Sequence, residues 1–141
     1  MNKIIIVKGL PGSGKSTWSK KIIDKYPERY KRINNDDLNS MMSNGKLSDD
    51  KGAFNRRISD ALIIETLKAE KNVILDNTNL NPRIEKDIRK LAEEYHAIVK
   101  IKDFTDVPIE ICIERDSKRE KPVGEKVIRG MYDRYLKPKS K

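Results

Sequence analysis

At 141 residues the chain is one domain's worth of sequence, expected to run as a single domain over 1–141 and long enough to bury roughly two thirds of its unfolded surface. Thirty-one basic against twenty-two acidic residues leave a net charge of +9, which favours a polyanionic partner such as nucleic acid. One cysteine, Cys112, rules out an internal disulfide, and with no long apolar run or charged-then-apolar leader a reducing, cytoplasmic setting is expected and a membrane is not.

The apolar run Ile4-Ile5-Ile6-Val7 predicts a buried parallel strand. It runs straight into Gly9-Leu10-Pro11-Gly12-Ser13-Gly14-Lys15-Ser16-Thr17, a phosphate-binding loop in its strand-turn-helix context. Glycines allow the backbone to turn and aim its N–H groups at phosphate oxygens, and the helix that follows adds the positive end of its dipole. A nucleoside triphosphate is the expected ligand, with Gly12, Ser13, Gly14, Lys15, Ser16 and Thr17 around its phosphates. Lys15 should reach the β- and γ-phosphates, and the Ser16 hydroxyl should hold Mg²⁺.

That helix is expected from about Ser16 to Lys25, packing through Trp18, Ile22 and Ile23 and closed by Pro27. Tyr30-Lys31-Arg32-Ile33 is a short, weak strand signal ending at Asn34-Asn35-Asp36-Asp37. Residues 38–50 read as a short helix beginning near Leu38 and then a mobile connection. Phe54, Ile58, Ala61 and Leu62 recur at helical spacing, which extends a helix to about Glu70. Val73-Ile74-Leu75 is a strand with Asp76 at its carboxyl end. Asn81-Pro82 caps a helix whose buried stripe is Ile84, Ile88, Leu91, Ala92 and Tyr95.

The last strand is expected from Ala97 to Phe104, followed by a helix from Pro108 with Ile109, Cys112 and Ile113 inward and Arg115 and Arg119 sharing a face. A final helix packs through Val127, Ile128, Met131, Tyr132 and Tyr135, and 137–141 reads as a frayed basic tail. Strands alternating with helices predict a four-stranded parallel α/β sheet with helices on both faces. Ligands on such sheets bind at the carboxyl ends of the strands, so the loop, residues 34–37 and residues 76–79 should meet in one crevice.

Phosphoryl transfer needs a grip on the triphosphate, a metal, a group that orients the nucleophile, and positive charge on the moving phosphoryl group. Asp36 or Asp37 stands where a carboxylate could accept a hydroxyl proton; the competing reading is that one of them caps the next helix. Asp76 resembles the acidic position that supports Mg²⁺, against a plain strand-ending turn. Arg115 and Arg119 could supply charge from a closing flap over 117–121, against an exposed basic helix end. His96 reads as a surface residue and Cys112 as core.

Together, Pro11 to Trp18, Asn34-Asn35-Asp36-Asp37, Thr78-Asn79-Leu80-Asn81-Pro82, and Asp106-Val107-Pro108 through Arg115–Arg119 to Met131-Tyr132 resemble the 5'-polynucleotide kinase family, the kinase module of phage polynucleotide kinase/phosphatases. The resemblance covers nearly the whole chain in order. It implies a P-loop kinase fold with a short lid, ATP as phosphate donor with Mg²⁺, and 5'-hydroxyl ends of DNA or RNA as acceptor, in nucleic-acid end repair in the cytoplasm (the host's, if phage-encoded). It further implies Asp36 as the general base and Arg119 as a lid arginine on the donor phosphates, with Arg115 a lid or structural partner; Lys15, Asp36 and Arg119 are then the expected catalytic residues, Arg115 and Arg119 the expected donor contacts beside the loop, and Ser16 and Asp76 remain the expected metal residues from the loop and strand readings.

Three positions depart from the family pattern. Asn39 stands where the family has an arginine that grips the acceptor's phosphate, Asn35 replaces the arginine before the base, and Asn77 aligns with the family aspartate while Asp76 lies one place upstream. Arg32, Arg56 or Arg57 is expected to replace the missing grip. No Asp-x-Asp-x-Thr run marks a phosphatase. A small-molecule kinase and a nucleotide-dependent regulatory module are the two other readings the sequence leaves open.

Overall fold

The computed structural model describes residues 1–46 and 52–138, so part of the 38–50 connection and the end of the basic tail lie outside the described residues. Four strands, β1 (Lys3–Lys8), β2 (Tyr30–Ile33), β3 (Asn72–Asp76) and β4 (Ile98–Asp103), form one parallel sheet in the order β2-β3-β1-β4. The chain moves outward to β2, returns to β3, and crosses β1 to reach β4. The carboxyl end of β1 therefore lies at the point where the strand order reverses, the usual ligand crevice of such sheets.

Between the strands run α1 (Lys15–Lys25), α2 (Asn35–Ser43), α3 (Ala53–Lys68) and α4 (Pro82–Glu94); α5 (Ile109–Ser117) and α6 (Glu125–Met131) follow, ending in a π-helical turn over Tyr132–Leu136. Alternate strand residues divide the core. Ile4, Ile6, Ile33, Val73 and Leu75 pack with Leu38 of α2, Ile63 and Leu67 of α3, and Ile88 and Ala92 of α4. The opposite side of the strands carries Arg32 and Asp76, and the cluster of Leu10, Cys112 and Ile128 joins the loop after β1 to α5 and α6.

Local chemistry sets several boundaries differently from the sequence reading. The second helix starts at Asn35, because Asn34 is its cap and accepts the Asp37 N–H at 2.8 Å, so neither aspartate serves as the cap. Asn81 caps α4 as expected, with Pro82 in the first turn. On α3 the buried positions are Ser59, Ile63 and Leu67, while Phe54 and Leu62 are exposed. Adjacent apolar residues on that helix offer two registers, and packing chose the other one. The strand β4 is an edge strand with Ile98 and Ile101 exposed. Val127 is exposed too, leaving Ile128 as the buried anchor of α6. The fifth helix stops at Ser117, so Arg119 lies beyond it and does not share a helical face with Arg115.

Candidate active site

The loop between β1 and α1 is held open by contacts that glycine alone permits. Gly12 has φ +82°, and a Cβ there would press into the carbonyl oxygen of Cys112 on α5. Gly14 has φ +101°, with Arg115 Nη1 and Phe104 Cε1 each 4.0 Å from where its Cβ would be. The loop thus packs on α5 and faces one of the two expected lid arginines. Beside it, the Trp18 and Phe104 rings meet edge to face, and Lys102 Nζ lies 5.4 Å and 5.6 Å from their centroids.

The three segments expected to converge do so through one backbone hydrogen bond and two in which asparagine side chains meet backbone. Gly9 N–H donates to the Thr78 carbonyl at 3.1 Å. Asn35 N–H donates to Asn77 Oδ1 at 2.8 Å, and the Asn34 amide donates to the Asp76 carbonyl at 2.6 Å. Buried Asn79, in the left-handed region at φ 47°, donates to the carbonyls of Val7 and Leu75 and so ties β1 to β3 at their carboxyl ends.

Lys15 is buried, and its ammonium donates to the Leu10 carbonyl at 2.7 Å. Burial pushes it down to about 8 from an ordinary 10.5; the Asp76 carboxylate, the Cys112 thiol and Asp36 oppose the shift, and Arg119 adds to it. Lys15, Asp36, Asp76 and Arg119, named from four separate segments, therefore share one electrostatic field. Polyphosphate would raise Lys15 again, so nucleotide binding should take up a proton between about pH 8 and 9 and none from this group near pH 6.5. Calorimetric titration of ADP in buffers of different ionisation enthalpy measures this. The uptake should vanish in Lys15→Met, and equal uptake in both proteins would refute the assignment to Lys15.

Asp76 is fully buried. Its Oδ2 accepts Arg32 Nε at 2.7 Å, and Arg32 Nη1 reaches Asp37 Oδ2 at 2.6 Å. Burial disfavours the Arg32 charge, but its bonds to Asp37 and Asp76 outweigh that and raise its pKa. Arg32 is thus committed to two carboxylates and is not free to grip an acceptor. Arg57 is turned to the Phe54 ring, 5.8 Å from its centroid. Of the three expected substitutes for the missing arginine, Arg56 is the one that lines the cavity beside Asp36.

Among the described residues, two buried side-chain polar atoms have no hydrogen-bond partner, Ser13 Oγ in the loop and Asp76 Oδ1 at its edge. Leaving such atoms unpaired costs about 1–3 kcal/mol each, a cost normally met by a ligand or ordered water. No group of three or more His, Cys, Asp or Glu is placed to enclose a metal among the described residues. The donor set instead fits Mg²⁺, a cation that keeps several waters and takes one or two carboxylates plus substrate phosphates. Ser16 and Asp76 would hold it there, and when bound it would neutralise charge on the β- and γ-phosphates.

Asp116 is a residue that the sequence reading did not single out. It is buried, and it accepts Val123 N–H at 3.1 Å, Gly124 N–H at 2.9 Å and Arg119 Nη1 at 3.2 Å. Burial alone would push its carboxyl up, but these donors together hold it below the ordinary carboxylate value. Asp116 thereby pins the polar segment that carries Arg119, whose side chain remains half exposed. An aspartate between two arginines, a few residues before a Pro-x-Gly turn, was the available signal. Cys112 is buried, and burial pushes its thiol up, as befits a core residue. His96 is exposed at a left-handed turn.

Residues 4–138 match the family model described as an AAA domain. The chain belongs to that family. This AAA domain has the P-loop kinase fold, with its nucleotide-binding loop after β1. It is 29% identical to the L-seryl-tRNA(Sec) kinase of Methanococcus maripaludis over 98% of this chain and 54% of that protein. It is 31% identical to a chain in the structure of the Pnkp1/Rnl/Hen1 RNA repair complex, with a TM-score of 0.80 over 94% of this chain and 43% of that one. The AAA domain thus spans about half the length of these relatives. A gluconokinase from Sinorhizobium meliloti 1021, 18% identical with a TM-score of 0.61 over 99% of this chain and 78% of its own, shares the fold. No helix among the described residues is long and apolar enough to cross a membrane.

Proposed function

We propose that this chain transfers the γ-phosphoryl group of ATP to the 5'-hydroxyl end of DNA or RNA, as a step in nucleic-acid end repair. The observation that carries the chemistry is the buried Lys15 of the loop after β1, its ammonium on the Leu10 carbonyl and its charge acted on by Asp76, Asp36 and Arg119. Support for the acceptor comes from the motif resemblance along the chain, the 31% identity to a chain of an RNA repair complex, and the net charge of +9.

In this reading the loop N–H groups and Lys15 hold the β- and γ-phosphates, and Asp36, exposed at the start of α2, faces the acceptor hydroxyl. The acceptor oxygen bonds to the γ-phosphorus, the bond to the β,γ-bridging oxygen breaks, and the hydroxyl proton passes to an Asp36 carboxylate oxygen. Arg119, steadied by Asp116, and Arg115 beside Gly14 bring positive charge to the moving phosphoryl group.

A small hydroxylated acceptor is the second reading, and one observation favours it: carboxylates outnumber cations in the cavity beside Asp36. The two separate in one assay with γ-labelled ATP and Mg²⁺, offering 5'-hydroxyl oligonucleotides, their 5'-phosphorylated counterparts, and small polyols. Label on the 5'-hydroxyl oligonucleotides alone is expected. Label on polyols alone would overturn the polynucleotide reading, and no label on any acceptor, with ATP still bound, would turn it toward a regulatory module.

A further inference from the structure

Helix α4 separates two surfaces of opposite charge. On one side, the cavity beside Asp36 is lined by Asp36, Asp60, Asp87 and Glu94 against Arg56 and Lys90, so it is net acidic. On the outside of the helix, Pro82, Arg83, Lys86, Asp87 and Lys90 line a shallow groove of about 470 Å³. Asp87 and Lys90 border both, which joins the groove to the cavity.

The cations of the groove recur at i, i+3 and i+7, which puts them on one helix face over about 10 Å. All three are exposed, and none makes an ion pair or side-chain hydrogen bond among the described residues. The neighbouring cations are neutralised by Glu85, which holds Lys8 at 2.8 Å and Arg89 at 3.0 Å. Those two bonds keep the Glu85 carboxyl below its ordinary value. Asp87, the carboxylate of the groove, acts on Asp60 of the cavity, whose carboxyl burial pushes up, Arg56 opposing and Asp87 adding to the rise. The unpaired charge of the outer face is therefore positive.

A row of unpaired cations along a groove complements a chain of phosphates, while the acidic cavity repels the same chain. We infer that the outer groove of α4 is a docking track for one nucleic-acid strand, with Arg83, Lys86 and Lys90 each taking a backbone phosphate outside the cavity. The inference rests on the polynucleotide reading above for its occupant, and it adds a surface separate from the reacting end. Phosphate contacts carry no base information, so the track favours longer strands without choosing their sequence.

The test measures kcat and KM of the intact protein for a 5'-hydroxyl dinucleotide and a 5'-hydroxyl 20-mer over a range of salt. At about 50 mM salt the 20-mer should have a KM about 10-fold or more below that of the dinucleotide, and its log KM should rise with log salt by about 2, or about 0.7 for each phosphate held. Arg83→Gln combined with Lys86→Gln should raise KM for the 20-mer by about 5- to 20-fold and lower that slope by about 1.4, with kcat and the dinucleotide KM unchanged. Lys90 is kept in this variant because it also lines the cavity. Glutamine suits an exposed helix position, and ADP affinity equal to wild type verifies the fold. Lys21→Gln combined with Lys25→Gln, which removes the same charge from α1, should leave the 20-mer as in wild type.

Equal KM for dinucleotide and 20-mer, an unchanged 20-mer KM in the α4 variant, or an equal effect of the α1 and α4 variants would overturn the track and leave the polynucleotide reading standing. An acidic protein as the occupant of the groove would give the second of these results. A wild-type protein that labels no 5'-hydroxyl end of either length would overturn both.

Discussion

Asp36→Asn is expected to lower kcat for phosphoryl transfer by roughly a thousandfold or more, the upper part of the range for general-base groups, while ADP affinity stays within about twofold. The amide keeps the size of the carboxylate and cannot take the hydroxyl proton. Nothing structural is lost with the charge, because Asn34 caps α2 and Asp36 is exposed. Asp37→Asn is the internal comparison. Its carboxylate bonds Arg32 from the surface, and Arg32 keeps Asp76 as its buried partner, so a change of only a few fold is expected. Single-turnover transfer by the two variants measures the difference; full activity in Asp36→Asn would remove the base from the account.

Gly12→Ala should be the most damaging single methyl group in the chain. The position combines φ +82° with backbone of α5 where the methyl would sit, and neither the Cys112 carbonyl nor the loop can yield without moving the other. A loss of roughly 3 kcal/mol or more is expected, which for a domain of this size lowers Tm by roughly 10 °C. Nucleotide binding should fall by more than about a hundredfold, since the loop N–H groups lose their aim. Gly14→Ala faces its nearest atoms at 4.0 Å and carries backbone strain alone, so its cost should be about 1–2 kcal/mol. Thermal denaturation and ADP titration of both variants check this ordering, and equal behaviour would show that the contact with α5 is not what fixes the loop.

What the sequence discloses here is what is local. The phosphate loop between β1 and α1 declares itself because strand, glycines, lysine and serine are contiguous, and Asn81-Pro82 marks the start of α4 for the same reason. Even the weak signal of Tyr30–Ile33 becomes a strand, because Ile33 completes the core between Leu38 and Leu75. The register of α3 was not legible: Leu62, Ile63 and Ile64 are neighbours, and which of them faces the sheet is decided by packing on Val73 and Leu75. The edge position of β4 was equally hidden, since pairing order is a property of the whole sheet.

The candidate site divides along the same line. Residue types at the ends of strands pointed to Lys15, Asp36 and Asp76. The clasp that steadies Asp76 did not show, because its partner Arg32 lies 44 residues away on another strand. Asp116 was only faintly signalled, for a different reason. Its role is to collect backbone N–H groups of Val123 and Gly124, which leave no trace in side-chain composition. Likewise three arginines were equivalent as substitutes for the missing grip at Asn39 until contacts separated them: Arg32 in ion pairs, Arg57 on a ring, Arg56 in the cavity.

The most direct measurement is the location of the label after the intact protein has reacted with γ-labelled ATP, Mg²⁺ and a 5'-hydroxyl oligonucleotide, followed by digestion to mononucleotides. The account predicts that all label is recovered as the 5'-mononucleotide of the terminal base, and none in Lys15→Ala. Label in any other product, or equal labelling by Lys15→Ala, would contradict it.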